Sequence, residues 1–338
     1  MKKILIIFMI ALLAVGSAFM LIACGDTTPE DGEPIKVKIV VPDGAPTLAL
    51  AKLIKERPSY EGYEISYQIV PGATEIGAAF ANASDPATFA ITPTNLAAVL
   101  NKNTGAKLLS VNVHGVLYIV GGTGMTATSL NDLKGEVLYS IGRAGTPGIT
   151  FKHILDENGI KYVEDEDSPA EDEIGIKYVE SGADLIPMLK MGEAKFGLLG
   201  EPAATASVAN AGTSILFNLQ ELWEDATDGV AYTQASLIGQ AAFLNDSANK
   251  NFIEWLLVKV EENDEWVLDN AADASNALKD AGATSVPAAR AVIERCNITT
   301  VRAKDIKEDV VSYLAVLHAF NPQTVGGVLP SDSFFYIP

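Results

Sequence analysis

The chain has 338 residues, of which 48% are hydrophobic and 20% charged. That length suits two domains or one large one, and so apolar and glycine-rich a composition (28 Gly) excludes intrinsic disorder and coiled coil. Acidic residues outnumber basic ones 43 to 24, and no basic stripe offsets the formal net charge of −19, which excludes nucleic acid as a partner.

Residues 1–24, MKKILIIFMIALLAVGSAFMLIAC, place Lys2 and Lys3 ahead of an uncharged run over 4–23. About 20 apolar residues can span a bilayer. However, Leu21-Ile22-Ala23-Cys24 resembles the lipobox of bacterial lipoproteins, in which the chain is cut before the cysteine and that cysteine is lipidated. The expectation is a lipoprotein signal peptide at 1–23, a lipid on Cys24 and a polar tether over 24–34. With Cys24 lipidated, Cys296 is the one free thiol and no intrachain disulfide forms. Its setting, AARAVIERC, has apolar residues at helical spacing and reads as a buried structural position.

In chain order, 35–41 (IKVKIVV) predicts a strand, Pro42–Pro46 a turn, and Thr47–Ile54 a helix capped by Thr47. A strand at 63–70 (YEISYQIV) and a helix at 74–82 follow. Residues 86–91 lead into a short apolar strand, and Pro93-Thr94-Asn95 opens a third helix. Strands at 106–113 and 115–120 close this unit. The strand–turn–helix rhythm argues for parallel sheets with helices on both faces. A second unit begins near 121, with one helical turn at Ser129–Lys134 and strands at 135–141, 174–179, 195–200 and 214–217. Its helices are FKHILDENG, stopped by Gly159, then 182–191, 202–210 and one around Leu219–Asp225. The run EDEDSPAEDE holds seven acidic residues in ten and reads as a solvated loop between two strands, since it lacks the ligand alternation and turn glycine of a calcium loop. After 233 come a strand at 234–243 and helical segments near 246–267, 269–281, 287–296 and 304–320. Phe334-Phe335-Tyr336 then packs the C-terminus down.

Little in the chain points to catalysis. Gly122-Thr123-Gly124-Met125-Thr126-Ala127 spells G-x-G-x-x-A, but the long helix of a dinucleotide site is cut off at Asn131–Gly135. No G-x-S-x-G elbow exists. His114, His153 and His318 form no H-x-x-x-H pair, so neither a metal nor a cofactor is expected and the chain reads as a non-enzyme. His153 and His318 read as surface or core-edge residues. His114, at the junction of two strands with Asn112 two residues before it, is a candidate for lining a cleft. The remaining signal is four turns at carboxyl ends of strands: Asp43-Gly44-Ala45-Pro46, Thr92-Pro93-Thr94-Asn95, Gly145-Thr146-Pro147-Gly148 and Gly200-Glu201-Pro202. Ligands gather at such ends, where helix N-termini offer unpaired N–H groups. Four turns of one design in two units suggest two lobes facing one another.

VPDGAPTLALAKLI, ITPTNLAAVLNKNTGAKLLSVNVHGVLYIV, IGRAGTPG, IPMLKMGEAKFGLLGEPAAT and the lipobox together resemble the substrate-binding lipoproteins of ATP-driven (ABC) importers. Within them the likeness is to the nitrate, sulfonate, taurine and thiamine-precursor branch, also described as SsuA/THI5-like or NMT1/THI5-like, over roughly residues 35–325. The resemblance implies a type II periplasmic binding protein of α/β class, each lobe a mostly parallel sheet with helices on both faces and a cleft between. Lobe 1 would take 35–115 and 235–338, and lobe 2 would take 116–234. The resemblance further implies that a small organic solute or oxyanion would bind in the cleft, and that the closed form, anchored outside the membrane as a monomer, would dock on a membrane permease served by a cytoplasmic ATPase. Carried over residue by residue, Gly44, Ala45, Pro46, Thr94 and Asn95 line one wall, and Thr146 and Glu201 the other. Asn112 and His114 approach from the first crossing, and Tyr232 with Gln234 from the second. Arg143 is the one arginine near this set, and Tyr118, Tyr139, Tyr232 and Trp223 are candidates for stacking on an aromatic solute. Two other functions share the fold: a thiamine-precursor biosynthetic enzyme, whose histidine and cysteine cluster is not found here, and a solute sensor or adhesin.

Overall fold

A computed structural model describes residues 33–338 except 83, 142 and 144; the signal peptide expected at 1–23, the lipidation expected at Cys24 and the expected tether up to residue 32 lie outside the described residues. The chain runs β1 (Ile35–Pro42), α1 (Ala45–Leu48), α2 (Ala51–Glu56), β2 (Tyr63–Val70), α3 (Ala73–Ala81), β3 (Phe89–Pro93), α4 (Thr94–Thr104) and β4 (Lys107–Val113). It continues as β5 (Leu117–Gly121), β6 (Val137–Ile141), α5 (Thr146–Glu157), β7 (Lys161–Glu164), β8 (Glu173–Val179), α6 (Gly182–Met191), β9 (Phe196–Gly200), α7 (Ala203–Ala211), β10 (Ser214–Asn218) and α8 (Leu219–Ala226). It ends with β11 (Ala235–Gly239), α9 (Ala241–Asn245), α10 (Lys250–Asp269), α11 (Ala271–Asp280), α12 (Arg290–Glu294), β12 (Ile298–Arg302) and α13 (Ala303–Phe320). None of the described helices is long and apolar enough to cross a membrane.

These strands form two six-stranded sheets, ordered β12-β4-β11-β3-β1-β2 and β10-β5-β9-β6-β8-β7. The chain passes from the first to the second between Val113 and Leu117 and returns between Asn218 and Ala235. Each sheet has a parallel group: β1 with β3, and β9, β6, β8 and β7. Both are mixed, and in the second sheet three of the five pairings are parallel. β11 runs against β3 and β4, β12 against β4, and β5 against β9 and β10. Direction follows from the crossings, because β4 and β9 run toward them while β5 and β11 start there and run away.

Among the described residues, 33–36 cluster with Tyr60–Glu64 as a small unit of their own, in which Ile35 N–H donates to Gly62 C=O (2.9 Å) and Tyr60 meets Tyr63 edge to face. The larger unit, Val37–Ser59 with Ile65–Pro338, contains the rest of both sheets. Strand residues such as Ile39, Val40, Ile91, Val111, Ile119 and Leu198 are fully buried, as expected of strands covered on both faces. One apolar cluster joins Val40 and Leu108 of the first sheet to Ile119 and Leu198 of the second, through Trp223, Tyr232 and Tyr313.

Three elements depart from the sequence expectation. The helix expected over 47–54 is two helices, because Asn263 of α10 inserts its amide between them. Its Oδ1 accepts from Lys52 N–H (2.9 Å) and its Nδ2 donates to Leu48 C=O (3.0 Å), so it occupies the i to i+4 pair a continuous helix would make. Thr47 does not cap that helix; it lies within α1 and donates its hydroxyl to Pro42 C=O (2.7 Å). Second, β12 was not foreseen. Its Ile-Thr-Thr-Val run is β-branched and adds an outer strand beside β4. Third, the strand expected over 234–243 stops at Gly239, where a Cβ would lie 3.0 Å from the Phe89 ring, and α9 follows.

Two further expectations, for the C-terminal aromatics and the acidic run, agree with the structure. Phe334 and Phe335 are buried and Tyr336 N–H donates to Leu108 C=O (2.8 Å), which fastens the C-terminus to β4. The acidic run joins β7 to β8 as a surface loop, with Lys161 on Asp172, Lys177 on Asp167 and Arg143 on Asp165.

Candidate functional site

All four turns singled out in the sequence lie at carboxyl ends of strands: after β1 and β3 in the first sheet, and after β6 and β9 in the second. Gly44 has φ +106°, a backbone that a side chain rarely adopts, and its N–H is held by Asp43 Oδ1 (2.8 Å). Asp43 also takes the N–H and hydroxyl of Thr284 and the N–H of Ser285, and these bonds hold its carboxyl below the usual range although partial burial works against them. Ala45 is buried and Pro46 half-buried in the short α1. At the next turn, Thr94 N–H donates to Gln234 C=O (2.9 Å) and its hydroxyl pairs with Ser236 of β11 (2.8 Å). Asn95 Nδ2 donates to Thr324 C=O (3.1 Å).

Asn112 is fully buried within the first sheet, and both its amide atoms are taken. Oδ1 accepts from Leu237 N–H (2.9 Å) and the Ser110 hydroxyl (3.1 Å), while Nδ2 donates to Thr300 Oγ1 (3.1 Å). Its neighbour at the crossing is different. The His114 ring is hydrogen-bonded by the Thr299 backbone, but its Nε2 is buried with no partner. Burial pushes the His114 pKa below its ordinary value, so the ring is neutral near pH 7 and Nε2 carries a lone pair. Two further hydroxyls nearby are also buried and unpartnered: Thr92 Oγ1 at the end of β3, and Thr233 Oγ1 just before β11. Since Gln234 N–H donates to Val113 C=O and Ser236 pairs with Thr92, all three orphaned atoms belong to the crossing ends of the neighbouring strands β4, β11 and β3.

In the second lobe Thr146 starts α5 and hydrogen-bonds Tyr313 of α13. Thr150, one turn on, pairs with the hydroxyl of Tyr232 (3.1 Å). Tyr232 is therefore enclosed, with its ring 5.5 Å from Trp223 and 5.1 Å from Tyr313. His153 stacks on Trp223 (5.3 Å) and meets Phe320, a core-edge setting. Tyr118, the other stacking candidate at a crossing, is buried with its hydroxyl donating to Arg295 C=O (2.8 Å). Arg143 is spent on Asp165 and lies 4.6 Å over the Tyr178 ring.

Glu201 has a fully buried side chain. Its Oε1 receives Arg295 Nε (2.5 Å) and the Thr205 hydroxyl (2.8 Å), and Oε2 receives Thr205 N–H (3.1 Å). Arg295 is not among the expected site residues; it falls inside the helical pattern expected over 287–296, which carries no sign of its partner. Cys296 beside it is buried, with its thiol pushed up to about 12 by burial. Among the described residues no group of three His, Cys, Asp or Glu side chains could hold a metal ion.

The crossing itself is braced on every side. Val116 N–H donates to Gln234 Oε1 (2.9 Å) and Leu117 N–H to Gln220 Oε1 (2.8 Å), while Asn297 Nδ2 donates to Gly115 C=O (2.8 Å). Gly115 has φ +106°, and a Cβ there would lie 2.1 Å from Gln220 Cγ. Glycine is thus required twice over, by backbone and by space.

Among solved structures, the chain is similar to an ABC transporter from Parabacteroides distasonis, with 21% identity over 88% of this chain and 98% of that one and a TM-score of 0.72. It is also similar to the periplasmic aliphatic sulphonate binding protein SsuA from Escherichia coli, with 15% identity over 90% and 93% of the two chains and a TM-score of 0.67. The ligand binding component of an ABC-type import system from Staphylococcus aureus, with zinc bound, aligns at 15% identity over 90% and 97%, with a TM-score of 0.60. No protein-family model matches the chain, and no curated protein matches it. Identities this low speak for architecture: the chain has the two-lobed, type II periplasmic-binding-protein fold that these proteins share.

Proposed function

We propose that the protein is a non-catalytic, extracytoplasmic solute-binding component of an ABC importer, anchored through Cys24, that closes its lobes on a small solute and delivers it to a membrane permease. One observation carries this reading beyond the fold: His114 Nε2, Thr92 Oγ1 and Thr233 Oγ1 are buried without partners at neighbouring strand ends beside the crossings. Buried polar groups are nearly always satisfied, so such a cluster suits the polar groups of a bound solute. Closure is then a population shift set by the solute's extra affinity for the closed state.

The solute class follows from the same atoms. Arg143 and Arg295 are both committed to carboxylates, and the neutral His114 ring offers a lone pair that attracts a donor and repels an oxyanion. A small organic solute that donates a hydrogen bond therefore fits better than nitrate or a sulfonate. Mass spectrometry of solute released from the purified protein, followed by calorimetry, tests this. His114→Ala is expected to weaken binding of the released solute by about 1–3 kcal/mol, the scale for removing one partner of a buried polar contact. Unchanged affinity in that variant, or a sulfonate as the released solute, counts against the assignment.

A further inference from the structure

The contact between Glu201 and Arg295 joins the two lobes. Glu201 and Thr205 follow β9 of the second sheet, whereas Arg295 precedes β12 of the first. At its base, the Arg295 loop is stapled to the first crossing: Tyr118 donates to Arg295 C=O (2.8 Å), His114 N–H to Asn297 C=O (3.0 Å), and Asn297 Nδ2 to Gly115 C=O (2.8 Å). At its tip, the guanidinium is gripped at two points, Nε on Glu201 Oε1 (2.5 Å) and Nη2 on Thr205 Oγ1 (2.6 Å). Glu201 is held in place from its own lobe by the Thr205 N–H and hydroxyl, so the receptor for Arg295 is built before the lobes meet. Its side chain has no exposed surface while that of Arg295 keeps 31%. A carboxylate so enclosed loses most when its partner leaves, because neither water nor another cation replaces it without the lobes moving.

We propose that Arg295, with Glu201 and Thr205, is an interlobe strut that fixes the angle between the two lobes in the absence of solute. The proposal rests on reading the lobes as moving jaws, and it adds the element that holds their resting position. Arg295 is a positioning residue here and touches no solute.

The test is small-angle X-ray scattering of the solute-free protein, which needs no knowledge of the solute. Arg295→Met keeps an unbranched apolar stem and removes the fork; it is expected to widen the distribution of interlobe distances, with the population at the resting angle falling roughly tenfold, the scale of a charged hydrogen bond. Arg295→Lys, which keeps charge but not the two-point grip, is expected to recover part of the compact distribution. Should Arg295→Met fail to fold, Thr205→Val removes the second grip point and is expected to give a smaller widening. Scattering identical to wild type in the folded variants overturns the strut. A strut that holds while no released solute is found would instead count against the binding function alone.

Discussion

Two seams join the lobes, and they are made of opposite materials. One is aromatic: His153 of α5, Trp223 of α8, Tyr232 of the second crossing, and Tyr313 and Phe320 of α13 meet mostly edge to face, with ring centroids 5.1–6.4 Å apart. The other is polar, and consists of Gln220, Gln234, Asn297 and the Glu201–Arg295 pair around Gly115. Apolar burial is large and undirected, so the aromatic seam contributes stability without setting an angle. Amide and guanidinium groups demand fixed directions, so the polar seam sets geometry at modest net gain. The same lobes are therefore held together by one surface and aimed by the other.

The comparison breaks most easily on its aromatic side. Trp223 is fully buried, and Trp223→Ala is expected to cost about 3–5 kcal/mol of stability, read as a lowered denaturant midpoint. A loss below about 1 kcal/mol would mean the rings are not a core at all. On the polar side, Gly115→Ala is expected to cost about 2–3 kcal/mol, since it combines a strained φ with a clash on Gln220 Cγ. Gln220→Ala alone is expected to cost about 1–3 kcal/mol by leaving Leu117 N–H unpaired. The double variant should then be less destabilised than the two losses added, because removing Gln220 removes the nearer clash and leaves only the Tyr232 ring, 2.7 Å from the new Cβ. Strict additivity would show that Gln220 yields freely and does not brace the crossing.

How far the sequence revealed these seams depends on the kind of signal each element leaves. Alternating and continuous apolar runs exposed nearly every strand of the two sheets, because the burial that holds β1 or β9 is written as Ile, Val and Leu in a row. The four turns were legible for a related reason: proline and glycine punctuate strand ends. β12 escaped because Ile298–Arg302 is a short outer strand with little apolar content between two helical patterns. The split between α1 and α2 escaped because its cause, Asn263, stands more than 200 residues away in the chain. Of the expected site residues, His114 joins two orphaned threonine hydroxyls, while Asn112 and Tyr232 have their polar atoms occupied inside the protein. A side chain's partner is a property of tertiary contact, and the spacing of residue types does not encode it. Arg295 is the sharpest instance, since an arginine inside the helical pattern expected over 287–296 gives no sign of its partner until Glu201 is seen to face it.

The finest test of the polar side is a titration. Asp264 of α10 accepts Thr300 N–H (2.6 Å) and the Thr300 hydroxyl (3.0 Å), and Thr300 in turn accepts from Asn112, whose Oδ1 holds Leu237 N–H of β11. This chain of bonds ties α10 to the strands that feed both crossings. Burial pushes the Asp264 carboxyl up to about 6, with the Glu261 charge adding to the rise and the two Thr300 bonds opposing it. The folded protein thus keeps this proton between about pH 4 and 6, where the unfolded chain has released it. Folding binds more protons in that window, so the contribution is full below pH 4, falls as pH rises and is gone above about pH 6. Carboxyls held low by donors, such as Asp43 and Glu164, give the opposite slope, so the informative quantity is the difference between two proteins. Asp264→Asn keeps an acceptor for Thr300 and cannot ionise. Its melting temperature relative to wild type is expected to be higher at pH 7 than at pH 4.5, by a few degrees. An equal offset at both pH values would place Asp264 in water and detach α10 from the polar seam.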